Sequence, residues 1–166
     1  QGNGSLSHVG TALLEQTTGI EMTHVPYKGS GPAIQDVLAG QVQVFMTTPP
    51  SVMQHVQAGK LKAYAVTGKT RHPGLPNVPT TAEAGLAGFE LEAWVGLFAP
   101  AGTPRAVVQT LTEKVKAALA TPEAKAVADR TGIEIRYLGP DALGALVQRE
   151  TEYWGQVIKA KNIQAD

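Results

Sequence analysis

The sequence has no cysteine in its 166 residues, which excludes disulfides, thiolate metal sites and a cysteine nucleophile. That absence fits any compartment, an oxidising one included. It also has no excess charge, since 14 basic side chains balance 14 acidic ones. Partners held mainly through phosphate or acidic lipid are gripped by clustered Lys and Arg, and no basic run occurs, so nucleic acid is not an expected partner. No stretch approaches the roughly 18 consecutive apolar residues of a membrane span. The first residues lack the basic and apolar regions of a signal peptide, so any targeting segment is expected to have been removed already. Internal repeats and low-complexity tracts are missing. The histidines His8, His24, His55 and His72 have no spacing that sets two on one helical face, and no H-E-x-x-H occurs, so no metal site is expected. Without a G-x-S-x-G elbow there is no marked serine nucleophile, and no G-x-G-x-x-G stands at a strand end.

What is present is 43% apolar residues, enough for a core, and 18 glycines with 11 prolines that fall as punctuation. Leu6, Val9 and Leu13 recur at helical spacing before Gly19, predicting an amphipathic helix over residues 5–18. Residues 20–27 read as a strand closed by Pro26. The next helix is expected over residues 30–39, with Ser30 as N-cap, Pro32 in the first turn and Gly40 just past the end. Residues 42–46 are strand-like, residues 50–58 helical up to Gly59, and residues 61–66 strand-like again. This alternation with tight connections predicts an α/β fold with a mostly parallel sheet flanked by helices. Pro73, Pro76 and Pro79 with Gly68 and Gly74 make residues 67–79 a loop. Thr80-Thr81-Ala82-Glu83 is a capping box that should open a short helix stopped at Gly85. A strand over residues 90–98 follows, then helices opening at Thr103-Pro104 and Thr121-Pro122, a strand over residues 133–137, and a long helix over residues 141–161.

In such a sheet, ligands sit beyond the carboxyl ends of the strands, where the following helices begin. Three expected helix starts are small-residue segments: Gly2-Asn3-Gly4-Ser5, Gly29-Ser30-Gly31-Pro32 and Thr47-Thr48-Pro49-Pro50-Ser51. Unpaired first-turn N–H groups and the positive dipole end make such starts receptive to carboxylate or phosphate. Capping by Ser and Thr and turning by Gly would explain each one singly. Three at equivalent ends of successive βα units favour a small anionic ligand. Tyr27 and Lys28 precede the Gly29 turn, so a phenol and an ammonium can reach the same mouth. Glu90 and Glu92 share one side of a strand and could be read as an acid/base pair or as a solvated face. Residues 63–70 spell A-x-x-x-x-G-K-T, but the run into Arg71-His72-Pro73-Gly74 allows no helix to hold a phosphate cradle.

Several longer segments are distinctive: His24-Val25-Pro26-Tyr27-Lys28-Gly29-Ser30-Gly31-Pro32-Ala33, Leu38-Ala39-Gly40-Gln41-Val42, Leu75-Pro76-Asn77-Val78-Pro79-Thr80, and Trp94-Val95-Gly96-Leu97-Phe98-Ala99-Pro100-Ala101-Gly102-Thr103-Pro104. Over essentially its whole length the chain resembles the extracytoplasmic solute receptors of the tripartite tricarboxylate transporter family, the Bug or TctC-like proteins. The resemblance implies a type II periplasmic-binding-protein-like lobe and a periplasmic two-lobed clamp. Such a clamp captures a small carboxylate (a di- or tricarboxylate, amino acid or aromatic acid), without chemistry and without a cofactor, for membrane transporter subunits. Family members are about twice this long, so the resemblance implies a missing N-terminal lobe. Residues 1–91 would form the second lobe, lacking its first strand, and residues 92–166 a crossover strand with helices at the hinge. The ligand-binding residues it implies are Asn3, Gly4, Ser5, Tyr27, Lys28, Gly29, Ser30, Gly31, Thr47, Thr48 and Pro49. Where many members carry Asp and Asn after the strand of residues 42–46, Met46-Thr47-Thr48 stand here, leaving hydroxyls to donate hydrogen bonds. The competing expectations are an α/β enzyme acting on a small acid or phosphoester through Lys28 or Glu90 and Glu92, and a stand-alone interaction domain.

Overall fold

Local capping chemistry sets most of the helix boundaries. A computed structural model describes residues 1–164; Ala165 and Asp166, the end of the expected 92–166 unit, lie outside the described residues. Helix α1 (Leu6–Thr18) starts at Ser5, whose Oγ accepts the His8 N–H at 3.3 Å. It ends at Gly19 in the left-handed region. Helix α2 (Ser30–Leu38) departs from expectation by one residue: Ser30 is already helical, and Gly29 occupies the cap position. The reason is that the chain reverses at Gly29 with φ 105°, a conformation that glycine alone adopts cheaply. Helix α3 (Pro49–Gln57) begins at the first of its two prolines, and α4 (Arg105–Leu119) begins after Pro104. In α5 (Pro122–Thr131) the Thr121 hydroxyl accepts the Ala124 N–H at 3.2 Å, and Gly132 closes the helix in the left-handed region. Helix α6 (Pro140–Ala160) is the longest, and it packs on α1 while α2 meets α3 and α4 meets α5.

The extended segments alternate with the helices as expected, but among the described residues the ladder that would join them into a parallel sheet is reduced to one bridge. Val66 N–H donates to Pro79 O at 2.8 Å and Thr81 N–H to Val66 O at 2.9 Å. Several amides at the starts of these segments close the preceding helix. Val42 N–H turns back to Asp36 O, Leu61 N–H to His55 O and Ile133 N–H to Ala128 O, and Met22 N–H is taken by the Glu15 carboxylate. Large apolar side chains remain exposed along the extended segments, among them Val44, Tyr64, Val95, Leu97 and Phe98. The accessible surface is 11407 Å², against about 7,800 Å² for a compact protein of this mass.

The best-defined core is Met53, Leu75 and Val78, with Val56, Ala63 and Val66 packed against it. Two of these residues come from the 67–79 segment, so the proline-rich loop folds over α3 as a lid on its apolar face. Gln57 Nε2 donates to Gly74 O at 3.1 Å, and His72 pairs through Nε2 with Gly132 O at 2.8 Å. The buried face of α1 also differs from its expected stripe. Ser7, Val9, Gly10 and Ala12 are buried, while Leu6 and Leu13 are only half-buried. Small residues face inward because α1 lies close against Leu91 and Met46.

The capping box at Thr80 forms but supports a single turn rather than a helix. Glu83 N–H donates to Thr80 Oγ1 at 3.1 Å and Thr80 N–H to Glu83 Oε2 at 2.8 Å. Gly85, at φ 97°, then ends the turn. Arg71 Nε also reaches Glu83 Oε2 at 2.8 Å. That guanidinium, aided by the Thr80 N–H, holds the Glu83 carboxyl below its ordinary range, and the carboxylate in turn raises Arg71. A carboxyl depressed by folding contributes stability above its unfolded pKa of about 4.3 and loses it as pH falls through the folded value. Glu83→Gln is therefore expected to lower the melting temperature at neutral pH. The gap to wild type should close on acidification, and a gap unchanged at low pH would refute the linkage.

Candidate functional site

Three helix starts converge through Gln1. Its carbonyl accepts the Tyr27 N–H at 3.1 Å, and its Nε2 donates to Thr47 Oγ1 at 3.3 Å. The segment that opens α1 is thereby tied to those that open α2 and α3. The first segment is a turn: Ser5 N–H donates to Gly2 O at 3.2 Å, with Gly4 at φ 69°. Gly4 N–H donates to His8 Nδ1 at 3.2 Å, and Asn3 Oδ1 pairs with His24 Nε2 at 3.0 Å.

In the second segment Gly29 N–H closes on Tyr27 O at 2.9 Å. The Tyr27 phenol donates to Asp36 Oδ2 at 2.7 Å. That bond raises the phenol above its ordinary pKa, with desolvation and the Asp36 charge adding in the same direction. Tyr27 is thus fixed by its own helix, and its ring forms a wall. In the third segment Thr48 Oγ1 lies 3.5 Å from Ser51 Oγ, and Ser51 N–H donates to Thr48 O at 3.0 Å.

Between the first two segments lies an open hollow of about 380 Å³ lined by Gly2, Asn3, Pro26, Tyr27, Lys28 and Gly29. Of the residues expected at a site, Asn3, Tyr27, Lys28 and Gly29 line it. Gly4 and Ser5 stand behind its wall in the α1 turn, Ser30 and Gly31 continue from its rim into α2, and Thr47, Thr48 and Pro49 connect through Gln1 without lining it. Gln1 and Asp36 were not singled out from the sequence, and His8 and His24 were read only as histidines without metal-ligand spacing. Most of their roles rest on contacts between distant positions, as in Tyr27 with Asp36, His24 with Asn3 and Gln1 with Thr47, for which no periodicity gives a signal.

The charge pattern at the hollow favours an anion. At α2 no side chain is hydrogen-bonded to the first-turn amides among the described residues, and no acid stands in that turn, so its start keeps the partial positive charge that an acidic cap would neutralise. The α3 start does not add to it, because Pro49 and Pro50 have no N–H and Ser51 N–H donates to Thr48 O. Lys28 is exposed and belongs to no ion pair among the described residues. Oriented amides and one ammonium on a single hollow can receive a small carboxylate through charge-assisted hydrogen bonds.

Elsewhere the chemistry is occupied. Glu90 meets Lys69 at 3.8 Å and Glu92 meets Arg136 at 3.0 Å, so the two carboxylates face different cations. A second hollow of about 270 Å³ lies among Leu6, Glu92, Ala93, Trp94, Glu150 and Trp154. Among the described residues no cluster of three His, Asp or Glu could hold a metal ion, and no helix is long and apolar enough to cross a membrane.

A family model described as "Tripartite tricarboxylate transporter family receptor" matches residues 1–163. The chain is 40% identical over 166 residues to the UPF0065 protein in the tcbD-tcbE intergenic region of Pseudomonas sp. (strain P51), covering 99% of this chain and 49% of that one. Among solved structures, it is similar to R. palustris Rpa4515 with adipate (35% identity, TM-score 0.87, covering 96% of this chain and 54% of that one). It is also similar to the periplasmic binding protein BugD (35%, 0.85, 98% and 55%). A third match is MatC (Rpa3494) from Rhodopseudomonas palustris with bound malate (37%, 0.83, 93% and 54%). The chain thus spans about half the length of that curated relative and of each of these structures.

Proposed function

Because the chain belongs to the tripartite tricarboxylate transporter family of receptors, we propose that it is the carboxylate-capturing part of an extracytoplasmic solute-binding protein. The observation that carries this reading is the hollow itself. A helix start without side-chain cap or acid, and Lys28, which forms no ion pair among the described residues, face one space lined otherwise by Gly2, Asn3, Pro26, Tyr27 and Gly29. The carboxylates named with two similar structures, adipate and malate, support the same ligand class. In this reading the amides of Ser30 and Gly31 and the Asn3 side chain grip one carboxylate, with Lys28 supplying charge at the rim. Ser5, Thr47 and Thr48 shape the loops behind them, and Gly4 and Pro49 set the backbone at the two flanking starts. The protein binds and releases without turnover, needs no cofactor, and delivers its ligand in the periplasm to membrane subunits of the tripartite transporter.

The proposal extends to architecture. Residues 1–91 make up most of one ligand-binding lobe whose sheet is completed by further chain, and residues 92–166 provide the crossover and hinge helices. The excess accessible surface and the exposed apolar residues of the extended segments support a second, N-terminal lobe closing over the hollow. Burial of a carboxylate between lobes is tolerable only where donors satisfy it.

The test is a thermal-shift and calorimetric titration with malate, adipate and a panel of small mono-, di- and tricarboxylates and aromatic acids. Saturable stabilisation is expected for at least one, amounting to about 2.7 kcal/mol when the free acid stands near 100 times its Kd. An unmoved melting temperature across the whole panel would overturn the assignment.

A further inference from the structure

One wall of the hollow is held by two imidazoles. His8, on α1, and His24, on the extended segment of residues 20–27, stack face to face with ring centroids 3.8 Å apart and planes 6° from parallel. Each ring grips one residue of the turn that lines the hollow: Gly4 N–H donates to His8 Nδ1, and His24 Nε2 pairs with Asn3 Oδ1. A ring nitrogen that accepts an N–H carries no proton, while an amide oxygen only accepts, so His24 Nε2 is the donor. We propose that His8 and His24 are positioning residues for the hollow: the stacked pair holds the Asn3–Gly4 turn in shape as its wall, His8 through Nδ1 as acceptor and His24 through Nε2 as donor. The proposal rests on reading this hollow as the ligand site.

The chemistry is specific to this arrangement. A flat ring without a nitrogen at the His8 Nδ1 position would stack as well but give the Gly4 N–H nothing to donate to. Neighbouring polar groups make bonds of their own. Glu15 of α1 holds the Met22 N–H, Asp36 of α2 holds the Tyr27 phenol, and the Gln1 amino group donates to Ser7 Oγ. Glu21 and Lys28 flank the segment that carries His24. No ion pair among the described residues involves His8.

Two substitutions separate positioning from bulk. His8→Phe keeps a flat ring for stacking but has no acceptor, and His8→Asn restores an acceptor. The readouts are the Gly4 amide resonance and calorimetric affinity for malate and adipate. His8→Phe should displace the Gly4 signal, and His8→Asn should return it towards the wild-type position. Affinity at neutral pH is expected to fall about three- to tenfold in His8→Phe, the worth of one hydrogen bond, and to be recovered in His8→Asn. A Gly4 signal in His8→Phe that matches wild type, or unchanged affinity in that variant, overturns the proposal. Failure of wild type to bind either acid strikes instead at the carboxylate reading, and the Gly4 signal alone then decides whether the imidazoles hold the turn.

Discussion

Gly29→Val is expected to destabilise the fold by about 1–3 kcal/mol and to abolish carboxylate binding, whereas Gly31→Ala two residues later should leave both intact. The difference lies in backbone geometry, because a Cβ at either position meets nothing within 4 Å. Gly29 sits at φ 105° and ψ 178°, a region essentially reserved for glycine, and a β-branched residue is excluded most strongly. To relieve the strain the chain must rotate between Tyr27 and Ser30. That rotation breaks the Gly29 N–H bond to Tyr27 O and swings the α2 start away from the hollow. Gly31 lies inside the first turn of α2 with no positive φ. Alanine there stiffens the unfolded chain and should stabilise by a few tenths to about 1 kcal/mol. Denaturant melts paired with malate and adipate titrations of both variants check this. Equal behaviour of the two would show that the Gly29 turn does not position the site.

Gly10→Val is the second large effect, and it acts through packing. A Cβ at Gly10 would overlap Leu91 Cδ2 and lie 2.8 Å from Met46 Sδ, although the backbone there is ordinary helix. Leu91 is buried, and its carbonyl accepts the Thr67 hydroxyl, so it cannot retreat freely. Met46 can bend, but it adjoins Thr47, the residue tied to Gln1. Overpacking of this kind costs about 1–3 kcal/mol, and a chain of this size loses roughly 2–4 °C in melting temperature per kcal/mol. Space returned by Leu91→Ala should relieve part of the clash, so the double variant is expected to be more stable than the two single losses added together. Strict additivity would show that α1 does not press on Leu91.

The candidate site and the helices differ in how much of them could be read from residue order. Helix ends were legible wherever a residue acts on its own neighbours: Ser5 and Thr121 cap, and Gly19 and Gly132 turn left-handed. The start of α2 was misplaced by one residue because the cap there is a backbone reversal at Gly29 rather than a side-chain bond. The capping box at Thr80 was legible, yet its helix was not realised beyond one turn, since Gly85 stops it before propagation can offset nucleation. Of the candidate binding residues, the sequence placed Asn3 and Tyr27 to Gly29 in one expected group, and the hollow unites those four. The third start, at Thr47, Thr48 and Pro49, joins only through Gln1.

By itself the sequence determined the family, the helix pattern, the absence of thiol chemistry and of a basic surface, and the small-residue helix starts that suit an anion. These follow from composition and from interactions within one or two turns. Tertiary structure alone decided that α1 buries Gly10 rather than Leu6, that the proline-rich segment roofs α3, that Asp36 fixes Tyr27, and that His8 stacks on His24. Each of these depends on which distant segments come within a few ångströms. That choice is made by the packing of the whole chain, so no local run of residues encodes it.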